Sequence, residues 1–132
     1  QRSDQLRKIR GGEQPERVVV VPWVAQPKAL EHAALVVQHG GAGTTLAALA
    51  AGLPQLVLPQ GADGPANARA VHAAGAGEYV LAPDLTPQAV HDAARRLLAD
   101  ESYRTGAGKV AEEIAAMPDP ATTAAKLPDL AA

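Results

Sequence analysis

The apolar positions of this chain fall in short blocks separated by segments of a different period. Val18-Val19-Val20-Val21 is a continuous β-branched run closed by Pro22 and Trp23, the pattern of a strand buried on both faces of a parallel sheet. Leu35-Val36-Val37, Gln55 to Leu58 and Tyr79-Val80-Leu81 are further blocks of strand length. Between them apolar residues recur at helical spacing. Pro27 opens the first such segment, with Leu30, Ala33 and Ala34 in phase and Gln26 at the cap. Thr44 to Ala51 is the second and Gly52 its left-handed stop; Ala66 to Ala74 is the third, closed by Gly75 and Gly77. Thr86-Pro87 starts the fourth with a capping hydroxyl and a proline at the first helical position, and Val90, Ala93, Ala94, Leu97 and Leu98 form one face. Glu101 to Met117 is helical again, with interruptions expected at Gly106 and Gly108, and a last alanine-rich helix follows Pro118 and Pro120.

The order βαβαβαβα with short connections predicts an α/β fold, a parallel sheet with helices on both faces. Residues 1–16 are charged and turn-rich and read as a leader or linker, 17–117 as the domain, and 118–132 as a helical tail. In such a sheet ligands sit beyond the carboxyl ends of the strands. Trp23, the stretch from His39 to Thr44, and Gln60 to Gly64 all follow strands, so one ligand can touch all three loops.

The middle loop carries the strongest chemistry. A strand stops at His39, meets Gly40, Gly41 and Gly43, and gives way to Thr44-Thr45 and a helix. A glycine turn before a helix leaves backbone N–H groups unpaired beside the positive end of the helix dipole, which suits a phosphate. Composition narrows what that phosphate belongs to. With 12 basic and 14 acidic residues in 132, the net charge of −2 gives no reason to expect nucleic acid or an acidic membrane as partner. No cysteine is present, which excludes disulfides, thiolate metal sites and a cysteine nucleophile. The apolar runs are strand-sized and the N-terminus is polar, so a cytoplasmic protein is expected. The chain does not begin with Met and reads as a fragment or a processed chain, with a further first strand expected outside it.

The succession Pro22-Trp23-Val24-Ala25-Gln26, Leu30 and His32, His39-Gly40-Gly41-Ala42-Gly43-Thr44-Thr45, Gly52-Leu53-Pro54 and Pro59-Gln60-Gly61-Ala62-Asp63 resembles the donor-binding half of nucleotide-sugar glycosyltransferases. More narrowly it resembles bacterial enzymes that decorate macrolides and other natural products, from about Arg17 to Met117. Asn67 and the run Glu113 to Pro118 share the likeness. The resemblance implies the C-terminal, Rossmann-like half of a GT-B fold, holding a dTDP- or UDP-sugar. It implies that Trp23 stacks on the pyrimidine, that the Val24 backbone bonds the base edge, and that Gln26 assists. His39 would contact the diphosphate, with Gly40, Gly41, Ala42, Gly43, Thr44 and Thr45 supplying backbone and hydroxyl donors, and Asp63 with Gly64 would face the sugar.

Each residue also has a plainer reading: Trp23 as a core anchor, Gln26 as a helix cap, His39 as a buried histidine bonded to backbone, Asp63 as an N-cap. His32 and His72 read as packing or helix-surface residues, and His91 as solvated. The chain has no Asp-x-Asp pair, and no metal or other cofactor is expected. Gly64 stands where many family members carry Gln, and Ala47 where plant relatives carry Glu; these departures fit a deoxysugar donor and dTDP. The resemblance places the acceptor pocket and the general base in an N-terminal domain or subunit outside this sequence, so the isolated chain is expected to be inactive. A dinucleotide-binding oxidoreductase is the rival, but Leu46 stands at the third glycine of that fingerprint and Asp63 lies past Pro59. A non-catalytic subunit or scaffold of a two-chain transferase is the other alternative.

Overall fold

The computed structural model describes residues 16–130, so nearly all of the expected leader lies outside the described residues. Three strands, β1 (Val36–Gln38), β2 (Gln55–Val57) and β3 (Gly77–Tyr79), form a parallel sheet in the order β1-β2-β3. Val37 lies opposite Leu56, and Leu56 opposite Glu78. The helices are α1 (Gln26–Leu30), α2 (Ala42–Ala50), α3 (Gly64–Ala73), α4 (Pro87–Ala99), α5 (Glu101–Ala116), α6 (Pro120–Ala125) and α7 (Leu127–Leu130).

Strand β2 is buried throughout because it has a strand on each side and helices on each face. On one face Leu49, Val57, Ala68, Val71, Ala76 and Ala107 bring α2, α3 and α5 together. On the other, Leu56 packs with Ala93 and Leu97 of α4. Thr86 caps α4 by accepting a bond from the Ala89 N–H, as Thr86-Pro87 predicts. Gly52 and Gly75, both at φ +66, end α2 and α3.

The expected sheet is corrected at several points. Val18 to Val21 pairs with no strand among the described residues and is 37–83% exposed, because a β-branched run becomes a strand only where a neighbour supplies the ladder. Strand β3 begins two residues earlier than expected. Gly77 belongs to it rather than to a helix stop, since a Cβ there would run into the Gln55 carbonyl oxygen. Helix α5 is continuous: Gly106 faces the Gly75 carbonyl so closely that no side chain fits, and it serves packing instead of interrupting the helix. Leu98 is 57% exposed rather than part of the buried face of α4. Gln26 is the first residue of α1 and not its cap, which is Ala25.

Candidate functional site

Strand β1 delivers the chain to the carboxyl edge of the sheet at Gln38, and the glycine turn reverses it into α2. Gly40 has φ +97, and a Cβ on it would lie 2.7 Å from the Gly64 Cα. The loops after β1 and β2 therefore meet glycine on glycine. This explains Gly64: it is buried and packs beneath the turn instead of presenting a surface to a sugar. Gly41 caps α2 in extended conformation with no side-chain bond. The N–H groups of Ala42, Gly43 and Thr44 have no partner among the described residues, whereas the Thr45 N–H already donates to the Gly41 carbonyl at 3.0 Å. Nothing lies within 4 Å of a Cβ placed on Gly43. Three donors thus stand without a partner among the described residues at the positive end of a nine-residue helix.

His39 is exposed, contrary to the buried-histidine reading. Its Nε2 lies 2.7 Å from where a Gly41 Cβ would stand, so the imidazole rests against the start of α2. Thr44 and Thr45 divide. The Gln26 Nε2 donates to the Thr44 Oγ1 at 3.1 Å, which leaves the Thr44 hydroxyl proton free to donate. The Thr45 side chain is buried, donates to the Gly41 carbonyl at 2.9 Å and accepts from the Gln38 Nε2 at 2.9 Å. The expectation that Thr45 offers a hydroxyl to the phosphate is therefore corrected: the helix turns it inward.

Asp63 occupies the N-cap position of α3 but makes no capping bond. Its Oδ2 accepts from the Asn67 Nδ2 at 3.0 Å, and the same Nδ2 donates to the Gly40 carbonyl at 2.7 Å. Asn67 thus ties the third loop to the second; its sequence signals were its share in the family likeness and its place four residues after Asp63, one turn along a helix. Trp23 is 79% exposed and Val24 is exposed as well, so the core-anchor reading of Trp23 does not hold. The segment carrying both leads directly into Gln26, which the Thr44 bond fastens to α2. Among the described residues no group of three or more His, Asp or Glu could hold a metal ion. No helix among them is long and apolar enough to cross a membrane.

Residues 3–130 match the family model described as the erythromycin biosynthesis protein CIII-like C-terminal domain. The chain belongs to this family. Among CIII-like relatives, the elloramycin glycosyltransferase ElmGT of Streptomyces olivaceus is 44% identical over 116 residues, covering 88% of this chain and 29% of ElmGT. The crystal structure of the glycosyltransferase VinC in complex with dTDP superimposes with a TM-score of 0.89 at 33% identity, covering 98% of this chain and 32% of VinC. The spinosyn rhamnosyltransferase SpnG complexed with thymidine diphosphate gives 0.80 at 34% identity, covering 93% of this chain and 34% of SpnG. The CIII-like chain thus spans about a third of the length of these proteins. Its fold is the Rossmann-like α/β C-terminal half of a GT-B natural-product glycosyltransferase.

Proposed function

We propose that this domain holds a nucleoside diphosphate sugar, with dTDP as the nucleotide, for an inverting glycosyltransferase acting on a natural-product acceptor. The observation that carries the reading is the start of α2, where the N–H groups of Ala42, Gly43 and Thr44, without partners among the described residues, lie beside the His39 imidazole. The bound nucleotides of VinC and SpnG, both thymidine diphosphates, support it. Trp23 stacks on the base, as its exposed ring permits, and the Val24 backbone bonds the base edge. Asp63, held by Asn67, accepts from sugar hydroxyls.

A base from the N-terminal domain takes the proton of an acceptor hydroxyl. The acceptor oxygen attacks the anomeric carbon, and the bond from that carbon to the diphosphate oxygen breaks. Negative charge grows on the departing diphosphate, where pre-oriented N–H donors stabilise it without reorganisation and without a metal. The chain alone then binds nucleotide and transfers no sugar.

Calorimetric titration with dTDP, UDP and NAD tests this. Binding of dTDP is expected; binding of NAD with no response to either pyrimidine diphosphate would overturn the reading. His39→Ala is expected to weaken dTDP binding roughly 10-fold or more, the scale of one hydrogen bond to a charged group, and to leave thymidine binding unchanged. Equal loss for both ligands would make His39 structural.

A further inference from the structure

Beneath the glycine turn three polar side chains, Gln38, Thr45 and Gln55, bond to one another and to the backbone of the turn. Gln55 is fully buried, Thr45 nearly so, and Gln38 half-buried at the end of β1. Their bonds run in one direction only. The Gln38 Oε1 accepts from the Gly40 N–H at 2.7 Å, while its Nε2 donates to the Thr45 Oγ1 and the Gln55 Oε1, both at 2.9 Å. The Gln55 Nε2 continues to the Thr45 carbonyl at 3.2 Å, and the Thr45 hydroxyl closes on the Gly41 carbonyl at 2.9 Å. The Gly40 N–H can only donate and the Thr45 hydroxyl proton is already directed at Gly41, so the opposite orientation of the Gln38 amide would break both of its ends.

We infer that Gln38 is a positioning residue for diphosphate binding. It makes no contact with the ligand. By drawing the Gly40 N–H inward, it fixes the first peptide of the turn; through Thr45 it fixes the Gly41 carbonyl. The next three N–H groups, of Ala42, Gly43 and Thr44, are left pointing outward. A strand end in this place would pack as well with an apolar residue, and buried carboxamides are costly unless every bond is made. Among the described residues no buried side-chain polar atom lacks a partner, which is what a turn held in one orientation requires. The inference rests on the proposed donor site.

The test compares Gln38→Met, which keeps the volume and removes all three bonds, with the unsubstituted chain. Titrations with dTDP and with thymidine are paired with the Gly40 amide resonance. The expected result is a loss of about tenfold or more in dTDP affinity, unchanged thymidine affinity, and a displaced Gly40 resonance with the other amides dispersed as before. Should Gln38→Met fail to fold, Thr45→Val breaks the same chain one link further on, and Thr45→Ser restores it. The Val variant should lose dTDP selectively and the Ser variant should bind as the parent does. Unchanged dTDP affinity in Gln38→Met or Thr45→Val, or equal loss of dTDP and thymidine, overturns the role of Gln38 while leaving the donor site standing. Failure of the unsubstituted chain to bind dTDP overturns both.

Discussion

At the scale of single residues, Gly41 and Gly40 are opposite cases although they are neighbours. Gly41 has φ −64 and ψ 137, a conformation open to any residue, and the first atom a Cβ would meet is the His39 Nε2. Gly41→Ala therefore asks only that the imidazole swing away. Thermal unfolding should stay within about 0.5 kcal/mol of the parent, while dTDP titration should show the same selective loss as His39→Ala. Gly40 combines φ +97 with Gly64 backbone in the way, so Gly40→Ala should destabilise by roughly 1–3 kcal/mol in the same melt. The glycine turn between β1 and α2 was legible because a strand end, a run of glycines and a helix start are local signals within His39 to Thr45. The supporting residues were not. Gln38, the inward turn of Thr45 and the reach of Asn67 to Gly40 depend on which way side chains point once β1, β2 and α3 have come together, and no local pattern records that.

The elements were legible to the extent that their signals are local. Thr86 as a cap and Gly52 and Gly75 as stops act within a turn of their own helices. Gly77 and Gly106 misled because each answers to a distant carbonyl, that of Gln55 and that of Gly75. The elements are also joined by a polar cluster with its own consequence. Arg96 of α4 donates to both carboxylate oxygens of Glu78 on β3, at 2.6 and 3.2 Å, and the Tyr103 hydroxyl of α5 donates to the Glu78 Oε1 at 2.8 Å. The Arg96 bond, aided by Tyr103, holds the Glu78 carboxyl below its ordinary value of 4.5 against the opposing effect of burial. A carboxyl depressed in the folded state stabilises above its unfolded pKa and loses that contribution as pH falls through the folded one. Stability should therefore decline as pH drops below about 4.5. Melting curves of Glu78→Gln across that interval should show a shallower decline than those of the parent, and parallel curves would remove Glu78 from the account.

Over the whole molecule, the alternation of strands and helices foretold the parallel sheet, but pairing is a property of neighbours and the number of strands was not legible. The same fact leaves a mark on β1. The Val36 N–H donates to the Pro54 carbonyl at 3.0 Å and the Gln38 carbonyl accepts from Leu58 at 2.7 Å. Alternate residues of a parallel strand bond to opposite sides, so the Val37 N–H and carbonyl face away from β2, where no described strand lies. Val37 is 49% exposed, and residues 33–38 contain neither charge nor proline, the devices that ordinarily blunt an edge. Hydrogen exchange read residue by residue should find the Val37 amide exchanging at least about tenfold faster than those of Val36 and Gln38, since an amide open to water needs no unfolding to exchange. Equal protection of all three would mean that a strand already covers this edge in solution. Saturation with dTDP separates the two regions of the molecule: it should slow exchange at Ala42, Gly43 and Thr44, and leave the contrast between Val37 and its neighbours as it was.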